Sequence, residues 1–534
     1  MGSFVRFSAN IFWTLLTAAV VGAQPPAPPS VTQDGVRNAA NRIPPGLPGG
    51  AIAPGSLIAI EGVRLAGPKL DLRIESDGPA VRLAPLRVSD DRILAVVPPD
   101  APIGDARLIV AHSGQQSLPY PLRIVDGSFG IFNITASDES PEFGDFSGPR
   151  MHAAITPARP GQTLTIWGTG LGKTQPEVFV ADLPARVLTA KHQECCAGIE
   201  AIRFELPAAT PLGCGVPVQV RTGGTTSSNI VTVPVSAGGR PCSDPAHWLL
   251  DVSGAAGRLG LITLVRAQFL EAADPAAPEA FTYDLGFASF TRQKPDRAPE
   301  TALPSVGGCI TFTAMIPVVR ALAPPLPVKG NTGSAPVLPM EPVKPRKLDA
   351  GTILRVASAA GSRPLEPDPR RPRYYSGKFG GSMFPTFYRP GHLSVRGPGG
   401  EDVGRFDARV QVPADLRWTN REEIGTVARR DGAWLRWMPA DESQVIFIVA
   451  AGLDPRSGAT AGCLCLASAA AHEFQIPSRI LSTFPQTRAN RDFQSSFILM
   501  AALPGSPPRP FRAKGLDAGY AFYVSTVART VSFQ

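Results

Sequence analysis

Pro160-Gly161-Gln162-Thr163-Leu164-Thr165-Ile166-Trp167-Gly168-Thr169-Gly170-Leu171 decides the reading of this chain, because the pattern occurs twice. The earlier copy is Pro54-Gly55-Ser56-Leu57-Ile58-Ala59-Ile60-Glu61-Gly62-Val63-Arg64-Leu65. Each opens on a Pro-Gly turn and runs on as a strand with alternating faces. Ile58 and Ile60, matched by Leu164 and Ile166, point inward, while Leu57, Ala59 and Glu61 point the other way. The next glycine (Gly62, Gly168) permits a positive φ or a bulge where the chain leaves the strand, and Leu65 or Leu171 returns to the core. Further on, Val97-Pro98 with Pro102-Ile103-Gly104 matches Leu206-Pro207 with Pro211-Leu212-Gly213, and Ile109 and Gly114 match Val218 and Gly223. The copies lie about 106 residues apart at their starts and about 109 at their ends, the size of one small β-sandwich and not of a solenoid repeat.

The composition agrees with a strand-rich reading. Gly (53) and Pro (57) make up about a fifth of the 534 residues, against roughly 12% on average. Both are costly inside helices, roughly 1 and 3 kcal/mol respectively, so helical bundles and coiled coils are excluded. The hydrophobic fraction of 43% argues against low-complexity disorder over most of the chain. The length is more than one core can organise. Lys+Arg 52 against Asp+Glu 44 leaves a net charge of +8, spread too thinly for a nucleic-acid footprint, which needs clustering on one face.

At the N-terminus, Arg6 precedes the apolar stretch Ile11 to Val21, and Val21-Gly22-Ala23 places small residues before Gln24. This pattern predicts a secretory signal peptide over 1–23, too short for a spanning helix. No later stretch reaches about 18 uninterrupted apolar residues, so the mature chain is expected outside the cytoplasm, secreted, periplasmic or at the cell surface, with no transmembrane segment. Residues 24–35 are expected to be a flexible leader and 127–147 a linker between the repeats. The acidic group Asp138, Glu139, Glu142 and Asp145 falls in that linker and lacks the Asp-x-Asp-x-Asp spacing of a calcium loop. The β-rich segment 241–323 is followed by a Pro-rich linker or loop at 324–345 and a β-rich C-terminal domain at 346–534. Leu348-Asp349-Ala350-Gly351 recurs as Leu516-Asp517-Ala518-Gly519, and the strands that follow are expected to be neighbours in one sandwich.

The pattern Pro-Gly, apolar alternation, Gly-Thr-Gly-Leu-Gly at 160–172, with Gly223-Gly224, Ser228-Asn229 and Val231-Thr232-Val233 beyond it, resembles the IPT/TIG-type immunoglobulin-like domain. It is similar to the version found in a large paralogous family of exported, uncharacterised soil-bacterial proteins. The resemblance covers 36–126 and 148–238. The first copy departs from it, with Gly62-Val63-Arg64 where the motif has Gly-Thr-Gly, so its loop there is expected to differ. The fold class implied is all-β, with tandem immunoglobulin-like sandwiches followed by a further β-rich, sandwich-type C-terminal region. Adhesion, binding and spacer roles go with this fold, and fold alone assigns none of them.

The chemical candidates are few. Gly168 to Thr174 imitates a phosphate-binding loop, but Trp167 stands where that motif needs glycine, and a strand follows instead of a helix. The six histidines form no His-x-His or His-x-x-x-His pair, and no Gly-x-Ser-x-Gly elbow occurs. His192 near Cys195-Cys196 lacks a second ligand pair, so no metal or cofactor is expected. Export favours disulfides among Cys195, Cys196, Cys214, Cys242, Cys309, Cys463 and Cys465. Adjacent cysteines rarely pair with each other. One of Cys195 and Cys196 is therefore expected to bond Cys214 and the other Cys242, with Cys309 left for Cys463 or Cys465, or free. Four cysteines alone allow three connectivities. Aromatic residues gather in the C-terminal part, and Tyr374, Tyr375, Trp434 and Trp437 are candidate ligand contacts of the kind that stack on sugar rings. Trp434 and Trp437 are three residues apart and face opposite ways on a strand, so one of them is core. The expectation is a non-enzymatic extracellular binding, adhesion or scaffold protein whose partner is an extracellular protein or polysaccharide, not nucleic acid. The alternatives are a carbohydrate-binding protein using the C-terminal aromatics and an enzyme hosted in 241–534.

Overall fold

The structure, a computed structural model, describes residues 27–136, 155–238, 241–248, 252, 257–271, 279–293, 303–313, 346–369, 371–381, 385–454, 456–488 and 496–534. Residues 1–23, expected to be a signal peptide, the 324–345 segment and the acidic group at 138–145 lie outside them. The fold is all-β.

The first repeat is a two-sheet sandwich. One sheet runs in the order Ser30–Asn38, Leu57–Val63, Arg92–Val96, Ala84–Val88. The other runs Val81–Arg82, Asp71–Glu75, Gly104–His112, Gln115–Gln116, with Tyr120–Ile124 also on Gly104–His112. The second repeat has the same order: Gly130–Thr135, Thr163–Thr169, Glu200–Glu205, Leu183–His192, continuing through Glu177–Val180 and Gly213–Thr222, with Val231–Val235 on the last. Setting aside the two-residue strands, four strands over three in this order is the arrangement of constant-type immunoglobulin domains. The equivalence extends to single bonds. Gly55 N donates to Val97 O at 3.0 Å and Gly161 N to Leu206 O at 2.9 Å. Ser117 and Ser228 each exchange a pair of bonds with Val110 and Val220, through the backbone at 2.8 Å and the hydroxyl at 3.1 and 2.9 Å.

Two boundaries differ from the sequence reading. Residues 30–35, read as leader, belong to an edge strand that pairs antiparallel with Leu57–Val63. Gly130–Thr135, read as linker, is the corresponding edge strand of the second sandwich, paired with Thr163–Thr169. Ser30–Asn38 is largely polar and relies on the backbone ladder, whereas Gly130–Thr135 also buries Ile131 and Ile134 in its own core and Phe132 in the junction.

The two repeats pack sheet against sheet. Ile58 and Ile60 enter the first sandwich's own core. Leu57 and Ala59, on the opposite face, join Ala39, Ala40 and Leu94 against Phe132, Trp167, Ile199 and Ala201 of the second sandwich. This is why the strand is buried on both faces. Full burial of a large apolar side chain contributes roughly 1.5–3 kcal/mol, and five of these nine are that size. The junction is also hydrogen-bonded: Leu57 N donates to Thr169 Oγ1 at 2.7 Å, and Asn38 Nδ2 to Thr169 O at 3.0 Å and Ser128 O at 3.1 Å. Gly168 is required here because a Cβ would strike Phe129 and the Gly130 carbonyl.

The C-terminal region is built on a long hairpin, Gly257–Glu271 and Glu279–Gln293, in register over its whole length. Ala518–Thr530 joins Gly257–Glu271 in parallel, Leu259 opposite Ala518. One continuous sheet extends from this pair in both directions. At one side it covers a core around Ile446, Leu464, Met500 and Phe533, at the other a core around Phe290, Val356, Val395 and Tyr523. Leu354–Ser358 and Ala518–Thr530, expected as neighbours, share this sheet with four strands between them. The region also touches both repeats. Ile43 and Leu47 pack on Ala461, and Gly215 exchanges backbone and side-chain hydrogen bonds with Ser305 at 2.8 and 3.0 Å.

Candidate functional site

A small three-stranded sheet, Arg417–Trp418, Ala433–Met438 and Glu473–Ile476, lies on the larger C-terminal core. Strand alternation sends Ala433, Leu435 and Trp437 inward and Trp434, Arg436 and Met438 outward. The outward face is ordered by cross-strand register: Trp434 opposite Gln475, Arg436 opposite Glu473, Met438 opposite Arg417. Arg436 Nε lies 3.3 Å from Glu473 Oε2. Trp434 is 46% exposed and Met438 53%.

This face is rigid from below. Asn420 is buried; its Oδ1 accepts from Trp418 Nε1 and Arg436 N, both at 2.9 Å, and its Nδ2 donates to Trp434 O at 2.9 Å. Trp437 Nε1 donates to Ala469 O at 2.9 Å. Trp434 is therefore a flat apolar surface fixed beside a planar amide, a guanidinium and a carboxylate. Such a set can stack on an apolar ring face and hydrogen-bond its edge.

The four candidate aromatics do not form one platform. Trp437 and Tyr375 are fully buried, so neither is available to a ligand. Tyr375 serves the fold, its hydroxyl donating to Gly351 O at 2.7 Å. Tyr374 is half-buried, with the Arg371 guanidinium 5.6 Å over its ring. Trp434 alone presents its ring on an open face.

Among the cysteines, Cys309 pairs within the Cys463/Cys465 choice expected for it, whereas Cys195 and Cys196 do not bond Cys214 and Cys242. Cys195 bonds Cys196, and Cys214 bonds Cys242. Cys309, directly opposite Cys465 on neighbouring strands, bonds it, and Cys463 is a buried free thiol. Burial pushes the Cys463 thiol up to about 12, which leaves it inert as a nucleophile.

Two buried polar constellations were not anticipated. Asp284 is fully buried and accepts both arms of Arg266 (2.8 and 3.0 Å) as well as the backbone N–H of Phe387 and Tyr388. Arg266 also donates to Asp415 at 3.0 Å, and Asp415 accepts from the Tyr523 hydroxyl at 2.9 Å. These residues are scattered over more than 250 positions, so no local motif announces them. With both Asp284 oxygens hydrogen-bonded, the set locks the central hairpin.

In the second repeat, Glu200 is fully buried. Its Oε2 accepts from Leu171 N at 2.7 Å, and Oε1 lies 3.1 Å from His192 Nδ1. Burial raises the carboxyl to about 8, against the pull of the Leu171 and Gly170 amides. Glu200 thus holds the Gly168–Leu171 loop, the same loop that bonds the first sandwich. Among the described residues no group of three or more His, Cys, Asp or Glu is arranged to hold a metal ion. No helix among them is long and apolar enough to cross a membrane.

No protein-family model matches the chain, and no curated protein matches it. Among solved structures, similarity extends to Gamma-CGTASE from Alkalophilic bacillus clarkii, 12% identical, TM-score 0.15, covering 41% of this chain and 26% of that one. It extends also to the titin Ig tandem domains A164-A165, 10% identical, TM-score 0.14, covering 35% and 94%. A third is SGBP-B from a complex xyloglucan utilization locus in Bacteroides uniformis, 13% identical, TM-score 0.16, covering 66% and 86%. Likeness at this level carries no functional argument.

Proposed function

We propose that this chain is an exported, non-enzymatic binding or scaffold protein built from IPT/TIG-type immunoglobulin-like modules. The observation that carries this reading is the double burial of Leu57–Ile60, which makes two sandwiches into one stiff block. A flexible tandem array needs exposed, polar sheet faces between modules. Here those faces are apolar and mated. Stiffness suits a protein that holds a binding surface at a fixed distance and orientation. Its partner is an extracellular protein or polysaccharide.

A second reading, carbohydrate binding, is favoured by Trp434. It is a large exposed aromatic on a strand pinned by Asn420, flanked by Arg436, Glu473 and Gln475. An array of plant and microbial polysaccharides probed with the full chain and with Trp434→Ala tests it. Binding lost in the variant supports the sugar face. Absence of any glycan signal removes this reading and leaves the protein-partner one. An unchanged signal in the variant places the glycan elsewhere on the surface.

A further inference from the structure

The hairpin between Leu183–His192 and Glu200–Glu205 ends in a turn that carries the bonded neighbours Cys195 and Cys196. The turn is tight: Gln193 N donates to Ile199 O at 2.9 Å, Cys196 N to Gln193 O at 3.3 Å and Ile199 N to Cys196 O at 2.9 Å. It is seated directly on the first sandwich. Gly198, at φ +76, has the position of its missing Cβ 3.1 Å from Leu57 Cβ and from Val96 Cγ2. A side chain there would be both strained and obstructed. Ile199 is buried with Leu57, Leu94 and Trp167, and Cys196 packs against the same cluster. The His192 ring covers Gly55, with Cε1 3.3 Å from the Cβ position of that glycine. The bare Gly198 backbone sits against the Leu57 and Val96 side chains, so a small rearrangement of the turn is felt across the junction.

The three disulfides differ in what they can do. Those between Cys214 and Cys242 and between Cys309 and Cys465 close loops of 28 and 156 residues. Loops of that length give a disulfide a large chain-entropy contribution. A bond between sequence neighbours closes almost no loop and adds nothing comparable. Its effect is local, on the shape of the turn. Access differs too. Cys195 is exposed and Cys196 half-buried, Cys214 and Cys242 are both half-buried, and Cys309 and Cys465 are buried. Exposed disulfides are the labile, regulatory ones.

We propose that Cys195–Cys196 is a redox-cleavable latch: reduction by an external dithiol frees the hairpin turn from Leu57 and Val96 and loosens the two sandwiches. A thiolate of the dithiol attacks the exposed Cys195 sulfur, and Cys196 leaves as thiolate and takes up a proton. The second thiol of the reagent then attacks its own mixed disulfide sulfur and releases Cys195, which is protonated in turn. The protein gains two electrons and two protons, and the reagent becomes a disulfide. The two cysteines stay adjacent, so reoxidation is intramolecular and the latch can reset. The inference stands independently of which partner the protein binds.

The test uses the full chain under graded dithiothreitol, with alkylation mapped by mass and amide exchange followed at 55–59 and 94–97. The expected result is that Cys195 and Cys196 are alkylated before any other cystine opens. Protection at 55–59 should fall at least tenfold at that step, and the Cys195→Ser/Cys196→Ser variant should show the same loss without reductant. Earlier opening of Cys214–Cys242 overturns the proposal. So does alkylation of Cys195 and Cys196 with exchange at 55–59 unchanged, or a double-serine variant that keeps full protection.

Discussion

Replacing Glu200 by glutamine should flatten the pH dependence of this protein's stability and raise its stability above neutral pH. The carboxyl is fully buried and lifted from 4.5 to about 8. Its folded state therefore binds the proton more tightly than its unfolded state. Such a group stabilises fully below about 4.5, and that contribution drains away as pH rises towards 8. At about 1.4 kcal/mol per pH unit, the whole span is worth roughly 5 kcal/mol. Between pH 5 and 9 the expected loss is roughly 4 kcal/mol. Glutamine keeps an oxygen for the Leu171 amide, bonded at 2.7 Å in the parent, and removes the charge that must otherwise form in a dry site. Urea denaturation of parent and Glu200→Gln at pH 5, 7 and 9 reads this directly. The two should be close at pH 5 and separate by several kcal/mol at pH 9, glutamine being the more stable. Parallel curves across the range would refute the reasoning, as would a variant whose deficit is the same at every pH.

Other expectations follow from the same contacts. Asp284→Ala takes the fully buried partner from Arg266, which is bonded to both Asp284 oxygens and keeps only Asp415 and the Tyr388 carbonyl, and should cost about 3–5 kcal/mol in calorimetric or denaturant unfolding. Removing Cys309 and Cys465 together, which opens a loop of 156 residues, should cost up to roughly 5 kcal/mol, measured against the parent under non-reducing conditions. Gly198→Ala should destabilise the junction, since a φ of +76 strains any side chain and a methyl 3.1 Å from Leu57 Cβ and Val96 Cγ2 obliges both to give way. Exchange at 55–59 reports it. Trp434→Ala should weaken any glycan bound by the parent at least tenfold, about 1.4 kcal/mol, in calorimetry, while the melting curve stays in place because the ring is half exposed.

The repeat was legible because a sandwich writes its turns and inward positions locally. Pro54-Gly55 and Pro160-Gly161 do make the same bond, to Val97 and Leu206. Ile58 and Ile60 do face their own core. What covers Leu57 and Ala59 was not legible, since alternation fixes which face a residue takes but not what neighbour sits on it. The strands Ser30–Asn38 and Gly130–Thr135 escaped for a related reason. Their place is set by backbone pairing with strands already identified, and SVTQDGVRN carries little apolar alternation of its own. The parallel pairing of Leu259 with Ala518 spans half the chain and has no sequence signature. Among the candidate ligand contacts, three-residue spacing correctly separated Trp434 from Trp437, and burial chose which of them faces outward. The Cys195–Cys196 pairing runs against the rule that adjacent cysteines rarely bond each other, and the backbone bonds of the turn that holds the two residues side by side have no signature in the sequence.

The two immunoglobulin-like sandwiches form one block through Leu57 and Trp167, which share a single buried cluster. A double-mutant cycle of Leu57→Ala and Trp167→Ala in the full chain, read by denaturant unfolding, tests it most directly. Residues in contact couple by about 0.5–3 kcal/mol, whereas independent sites add within roughly 0.3–0.5. The packing described here predicts coupling of at least about 1 kcal/mol. Strict additivity would contradict it and would mean that the modules stand apart.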